Sequence, residues 1–337
     1  MSINWQEFKA VIDQSSNIVL TSHIRPDCDA LGSELGMAGL LRQLGKRVRI
    51  VNGQETPPNL AFIDPQNEIM AIGKDIEPAD LADADLLMIL DTSAWAQLGP
   101  MGQVLRDFGG QKIIFDHHVG EDDLGATPFK NTTAEATGRL VVEAAEALGV
   151  ELTAEMAMPL FAAVATDTGW YRFPSAGSLT YRIAAKLIDA GASPSGIFAA
   201  LYERETLGRL RLRGLVLTRI ETEIDGRLAH TYILKEDFTA TGAMPTDTED
   251  LVNHCLEIQG TEFAVILIEQ AGGGFKVSFR SRCALNCNEV ASEFGGGGHK
   301  AAAGAFIKGP FDEVQPRLLE HVRQSLKSVV AAGMSGG

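Results

Sequence analysis

The sequence is poor in cysteine, in positive charge and in long apolar runs, and each shortage closes off a class of protein. Four cysteines, Cys28, Cys255, Cys283 and Cys287, are too few to form the framework of a 337-residue chain and show no C-x-x-C spacing. They read as reduced thiols, and Cys28, set between two acids, reads as a small buried side chain in preference to a soft-metal ligand. No stretch approaches the roughly 18 uncharged apolar residues of a membrane span. The opening Met1-Ser2-Ile3-Asn4-Trp5-Gln6-Glu7 lacks the basic and then apolar layout of a secretory signal. The expectation is a cytoplasmic protein with no membrane partner. With 29 basic against 44 acidic side chains the formal charge is −15, the wrong sign for coating long duplex nucleic acid. Short nucleotides stay open, because bound cations reverse the local sign.

What is present is an alternation of short apolar runs with helical stretches. Asn17–Thr21, Arg47–Val51, Leu86–Leu90 and Lys112–Phe115 are bounded by polar residues, as buried parallel strands are. A helical pattern from Ala30 to Leu44 ends at Gly45. The length favours two domains: residues 1–200, a helical connector at 201–219, and 220–333. The connector is rich in arginine (Arg204, Arg209, Arg211, Arg213), but Glu203, Glu205 and Glu221 accompany it, so a solvated helix is favoured over an RNA-binding one. Downstream, Leu228–Leu234, Glu262–Ile268 and Phe275–Arg280 read as strands, with Ala271-Gly272-Gly273-Gly274 as a hairpin turn. A last helix at Phe311–Ala332 is expected to pack on this sheet, and the end from Met334 onward to fray.

Chemistry gathers at the strand ends. His23, Asp27 and Asp29 follow the first run, Asp91 the third, and Asp116-His117-His118 the fourth, while Asp167 follows an apolar helix at 158–165. Open parallel sheets bind their ligands at the carboxyl ends of their strands. Pro26 keeps Arg25 out of helical geometry, which places His23, Asp27 and Asp29 on a loop. Each motif alone has an ordinary reading: an Asx-turn and helix cap at Asp27, caps at Asp91 and Asp167, a core pair at His117-His118. Together they supply two imidazoles and four carboxylates, enough for a pair of divalent cations, without which the acids would repel. Trp170-Tyr171-Arg172-Phe173 offers either a platform for a base or core packing.

The second half holds a basic island in an acidic protein. From Lys276 to Lys308 there are five Lys or Arg against Glu289 and Glu293, around Gly295-Gly296-Gly297-Gly298-His299. Successive glycines suit a nest of free N–H groups for a phosphate.

These clusters resemble motifs I to IV of the DHH phosphoesterases, and Arg280-Ser281-Arg282 with the glycine run resembles the DHH-associated domain. The resemblance covers nearly the whole chain. It implies an α/β protein: a Rossmann-like parallel-sheet DHH domain, a smaller α/β DHH-associated domain, and an active site in the cleft between them. It implies His23, Asp27 and Asp91 on one metal and Asp29, Asp91, His117 and Asp167 on the other, with two Mn(II) ions and magnesium or cobalt as substitutes. His118 would act at the leaving oxygen, Asp116 would orient the imidazoles, and Arg280, Ser281, Arg282, Gly296, Gly297, Gly298 and His299 would bind substrate. The layout is most similar to the oligoribonuclease and 3′-phosphoadenosine 5′-phosphate (pAp) phosphatase branch, which implies short RNA or a nucleoside bisphosphate as substrate and is compatible with a homodimer. Three alternatives stand beside it: a soluble cyclic-dinucleotide phosphodiesterase, a single-strand exonuclease, and a nucleotide sensor without activity.

Overall fold

A computed structural model describes the protein at residues 3–120 and 122–334. Of the end expected to fray, Met334 closes the last helix and residues 335–337 lie outside the described residues. The chain divides into two units, Met1–Arg204 and Glu205–Gly337.

In the first unit the elements run α1 (Trp5–Gln14), β1 (Asn17–Thr21), α2 (Cys28–Gln43), β2 (Arg47–Asn52), β3 (Ile69–Ala71), β4 (Leu86–Leu90), α3 (Met101–Asp107), β5 (Gln111–Asp116), β6 (Thr127–Lys130), α4 (Thr137–Leu148), α5 (Ala154–Asp167), α6 (Ser178–Asp189) and α7 (Pro194–Tyr202). The sheet order is β3-β2-β1-β4-β5-β6, and every pairing is parallel. Burial on both faces explains the unbroken apolar run of β4, where all five residues are inaccessible. Strand order reverses between β1 and β4, and such a switch point opens a crevice at the strands' carboxyl ends. Two edge strands escape the sequence reading. β3 has three residues, and β6 exposes Thr127 and Pro128, so neither carries the apolar run of a central strand.

Helices α2 and α5 pack without side chains between them at one point. A Cβ on Gly32 would lie 2.3 Å from the Pro159 carbonyl oxygen, so only glycine lets the two backbones meet there. Gly36 faces Leu160 and Gly39 faces Met156; the helices are therefore antiparallel. That orientation brings Asp29, in the first turn of α2, to Asp167, the last residue of α5.

The second unit comprises α8 (Leu207–Thr218), β7 (Glu221–Glu223), β8 (Leu228–Ile233), α9 (Lys235–Thr241), β9 (Phe263–Glu269), β10 (Phe275–Ser281), α10 (Cys287–Ser292), β11 (Gly297–Gly298), β12 (Ala302–Ile307) and α11 (Phe311–Met334). Its mixed sheet has the order β11-β12-β10-β9-β8-β7, with β8 and β9 parallel and the other pairs antiparallel. The glycine turn closes the β9–β10 hairpin through the Gln270 N–H and the Gly274 carbonyl. Alternation along β9 covers both faces: Phe263, Val265 and Leu267 meet Leu318, Val322 and Leu326 of α11, whereas Ala264, Ile266 and Ile268 meet Leu212 and Val216 of α8. The arginine-rich stretch read as a solvated connector is thus α8 of the second unit, its Leu212 and Val216 fully buried.

Candidate metal centre

Asp27 is the N-cap of α2, its Oδ1 accepting from the Asp29 and Ala30 N–H groups at 2.9 and 3.0 Å. The capping role does not exclude the ligand role: the same carboxylate is placed for both. Asp29 lies in the first turn of α2, not on the loop expected from Pro26, because the cap starts the helix one residue after Asp27. Its buried carboxylate receives the Thr137 N–H at 2.7 Å and the Gly138 N–H at 2.8 Å, both from the first turn of α4. Unpaired donors at a helix start hold an anion in this way.

Asp91 follows β4 in left-handed backbone, φ 60°. Its N–H donates to the Phe115 carbonyl at 3.1 Å, and its Oδ1 accepts from Thr137 Oγ1 at 2.9 Å. Asp116 ends β5 and is fully buried. It accepts from the His118 N–H at 3.0 Å, pairs with His118 Nδ1 at 2.8 Å, and takes Ser93 Oγ at 2.9 Å and Lys130 Nζ at 3.2 Å on its other oxygen.

The two remaining imidazoles are turned alike. His23 Nδ1 lies 3.0 Å from the Ile24 carbonyl and His117 Nδ1 lies 3.1 Å from the Ala134 carbonyl. A carbonyl can only accept, so each Nδ1 carries a proton and each Nε2 is the atom turned toward the acids. His23 Nε2 is 3.5 Å from Asp91 Oδ2 and 3.9 Å from Asp27 Oδ1. His117 Nε2 is 3.5 Å from Asp91 Oδ1, 3.7 Å from Asp29 Oδ2 and 3.5 Å from Asp167 Oδ2. These separations are too long for hydrogen bonds and suit ligands that share a cation about 2 Å from each. Among the described residues the groups His23-Asp27-Asp91 and Asp29-His117-Asp167 each lie within ligand reach, as does Asp91-His117-His118. His118 Nδ1 is engaged by Asp116, which sets His118 apart from the other two imidazoles.

Electrostatics supports the fit of a cation. Burial, with Asp91 and Asp167 adjacent, pushes the Asp29 carboxyl well above its ordinary range. Burial and the neighbouring Asp27 do the same to Asp91, and burial raises Asp167. Oxygen-rich donors with one imidazole per group fit a hard or borderline dication. At Asp116 burial acts upward too, but the His118 hydrogen bonds and Lys130 prevail and hold it at about 2. The Asp116 hydrogen bond in turn raises His118.

Sequence reasoning missed the residues that hold this set in place: Thr137, Gly138, Ser93 and Lys130. A helix start at Thr137-Gly138 is a local signal, but nothing local says that it receives Asp29, 108 residues earlier in the chain. A side chain at Gly138 would meet Ala163 Cβ at 2.6 Å and Asp29 Oδ1 at 3.3 Å.

In the second unit Arg280 and Ser281 end β10, Arg282 follows, and the His299–Ala302 turn lies beside them through the pairs Arg280–Ala302 and Ser281–Ala301. Arg282 and His299 are exposed and Arg280 is half-buried. The Ser281 hydroxyl donates to the Leu285 carbonyl at 2.7 Å and closes the local loop. The nest expected of the glycine run is not formed. The N–H groups of Gly295, Gly296 and Gly298 donate to the Ser292 carbonyl, the Ala291 carbonyl and Asn288 Oδ1. Gly296 is there for close packing instead, since a Cβ would lie 2.2 Å from the Gly304 carbonyl oxygen. Trp170 resolves toward packing, its ring edge-on to Phe198 at 5.0 Å.

Residues 17–165 match the DHH family's N-terminal domain and residues 225–328 match the DHHA1 domain. The chain is 31% identical to the bifunctional oligoribonuclease and PAP phosphatase NrnA of Thermus thermophilus, over 96% of this chain and 95% of that one. It is 28% identical to the NrnA of Bacillus subtilis, over 89% and 92%. A crystal structure of an exopolyphosphatase-related protein from Bacteroides fragilis superposes with a TM-score of 0.73 at 27% identity, covering 96% and 95% of the two chains. The chain belongs to the DHH family of phosphoesterases, in its NrnA-type branch with a DHHA1 domain.

Proposed function

We propose that this protein hydrolyses short RNA oligonucleotides, dinucleotides to pentamers, to mononucleotides, and pAp to AMP, with two manganese ions. One observation carries the reading: the two oxygens of Asp91 face different imidazoles, His23 and His117, each 3.5 Å away. A carboxylate so placed is a bridge between two cation sites. His23, Asp27 and Asp91 would hold one ion, and Asp29, Asp91, His117 and Asp167 the other. When bound, such a pair acidifies water and neutralises phosphoryl oxygens. Manganese suits donors that are mostly oxygen with one nitrogen per ion, and magnesium or cobalt are substitutes.

The side chains then divide the remaining work. His118, fixed through Nδ1 to an ionised Asp116, holds a proton at Nε2 for the leaving oxygen. Ser93 and Lys130 keep Asp116 charged and in place. Arg280, Arg282 and His299 bind a substrate phosphate through side chains, with Ser281, the tightly packed Gly296 and Gly298, and Gly297 between them shaping the loop that carries them. A clamp on a terminal phosphate favours short substrates and gains nothing from a long strand or duplex. The relatives named NrnA support both activities.

The test is a manganese-dependent product assay with pAp, an RNA dinucleotide, a longer RNA, a cyclic dinucleotide and pyrophosphate. Turnover of pAp and the dinucleotide with weak action on the longer RNA is expected. Dominant cyclic-dinucleotide or pyrophosphate hydrolysis would reject the substrate assignment and leave the metal chemistry; nucleotide binding with no turnover would reject the enzyme.

A further inference from the structure

A pocket of about 500 Å3 in the first unit opens beside the acid cluster. Asp27 and Asp167, one from each candidate ion group, form one side, while Pro57, Leu60 and Leu201 form an apolar wall. The Thr166 hydroxyl is spent on the Ala162 carbonyl at 2.8 Å, which leaves two polar side chains, Arg25 and Asn59, and both are exposed. Neither side chain makes a hydrogen bond or ion pair among the described residues. Arg25 is only two positions from Asp27 and yet does not pair with it. Its backbone is held left-handed at φ 56°, a conformation that is uncommon outside glycine and clusters at binding sites.

Because Asp27 and Asp167 line it, this pocket offers room for one substituent of a phosphoester whose phosphorus lies at the acid cluster. The volume lies in the range of small-ligand sites, and a rigid wall of proline and leucine suits the flat face of a base. Both free side chains have matching partners on one kind of base edge. Guanidinium groups bond guanine at O6 and N7, carboxamides bond adenine at N6 and N7, and a pyrimidine lacks N7. We propose that this pocket is a purine subsite, with Arg25 and Asn59 reading the Hoogsteen edge of the base. The inference rests on the nucleotide reading of the adjoining acid cluster.

Calorimetric binding of AMP, GMP, UMP and CMP to the full chain with manganese tests it without requiring turnover. The purine nucleotides are expected to bind about tenfold tighter than the pyrimidines, and Asn59→Ala and Arg25→Ala each to reduce that ratio about fivefold. Equal binding of all four by the wild type overturns the subsite. So does a variant pair that weakens all four alike, which marks a phosphate contact, or that leaves the ratio unchanged. Unaltered thermal unfolding of both variants separates these outcomes from misfolding. A purine preference with no turnover of pAp or the RNA dinucleotide supports the subsite and rejects the hydrolase; turnover of either with no purine preference does the reverse.

Discussion

In the second unit Glu223 accepts from Arg323 and lies 3.0 Å from His230 Nε2, and Asp237 is paired with Arg219. Arg323, with His230 behind it, outweighs burial and holds Glu223 down at about 2. In the first unit Asp29 and Asp91 are almost wholly buried, no lysine or arginine among the described residues pairs with either, and burial and neighbouring acids push both carboxyls up. The same chemical group stabilises one unit and strains the other. Acids that serve the fold are given a guanidinium; acids kept for a cation are surrounded by acids, at a cost in stability that hydrogen bonds from Thr137 and Gly138 reduce and a cation would offset. The tryptophans make the contrast measurable, since Trp5, Trp95 and Trp170 all fall in the first unit and none in the second. Tryptophan fluorescence follows one unit, and calorimetry follows both.

The largest effect is expected at Asp91. Asp91→Asn should lower hydrolysis by roughly a thousandfold or more, several kcal/mol of transition-state stabilisation. In the wild type, manganese at a hundred times its Kd should stabilise the first unit by about 2.7 kcal/mol and leave the second unit's unfolding where it was. If manganese still raises the fluorescence midpoint of Asp91→Asn, the bridge is misassigned and the contrast between the units fails.

Next comes the response to pH, in which Glu34 of the first unit and Glu223 of the second should act with opposite sign. Burial raises Glu34 from 4.5 to about 7, although Asn52 and Ser22 hydrogen-bond to it. A raised folded-state pKa means stability that is full below 4.5 and is lost as pH rises through about 7. For Glu223 the depressed pKa means stability present above 4.5 and lost as pH falls toward about 2. With saturating manganese, Glu34→Gln should remove about 3 kcal/mol of the first unit's decline between acid and neutral pH, and leave the acid loss of the second unit intact. An unchanged fluorescence-monitored slope would show that Glu34 is not the titrating group.

Smaller, and confined to packing, are the two glycine contacts. Gly32→Ala drives a Cβ into the Pro159 carbonyl, and Gly296→Ala drives one into the Gly304 carbonyl. Each should cost about 1–3 kcal/mol in its own unit. Only the first should also weaken manganese binding, because it moves Asp29 away from Asp167. Equal loss of metal affinity in both variants, read by calorimetric titration, would contradict this division.

The parts of the fold legible in the chain are those where local pattern and tertiary demand agree. β1 and β4 run from Asn17 to Thr21 and from Leu86 to Leu90 as the apolar runs suggest, because a strand buried on both faces writes its whole length in apolar residues. β3, β6, β7, β11 and β12 were not legible. The first two are short edges, and β11 consists of two glycines that pair with β12 only because Gly296 and Gly304 can approach. The helix at Leu207–Thr218 was placed correctly as a helix, but the sheet face it covers depends on residues 50 positions downstream.

By itself the sequence determined which atoms could meet a cation, since a parallel sheet delivers whatever follows its strands to one edge, and His23, Asp91 and His117-His118 follow β1, β4 and β5. The tertiary structure alone decided how those atoms are held and charged. Thr137 and Gly138 reach Asp29, Lys130 reaches Asp116, and Gly32 brings Asp29 to Asp167. Each of these contacts joins residues far apart in the chain. Burial and the neighbouring charge, which set the protonation of a carboxylate, come into being only when the chain has folded.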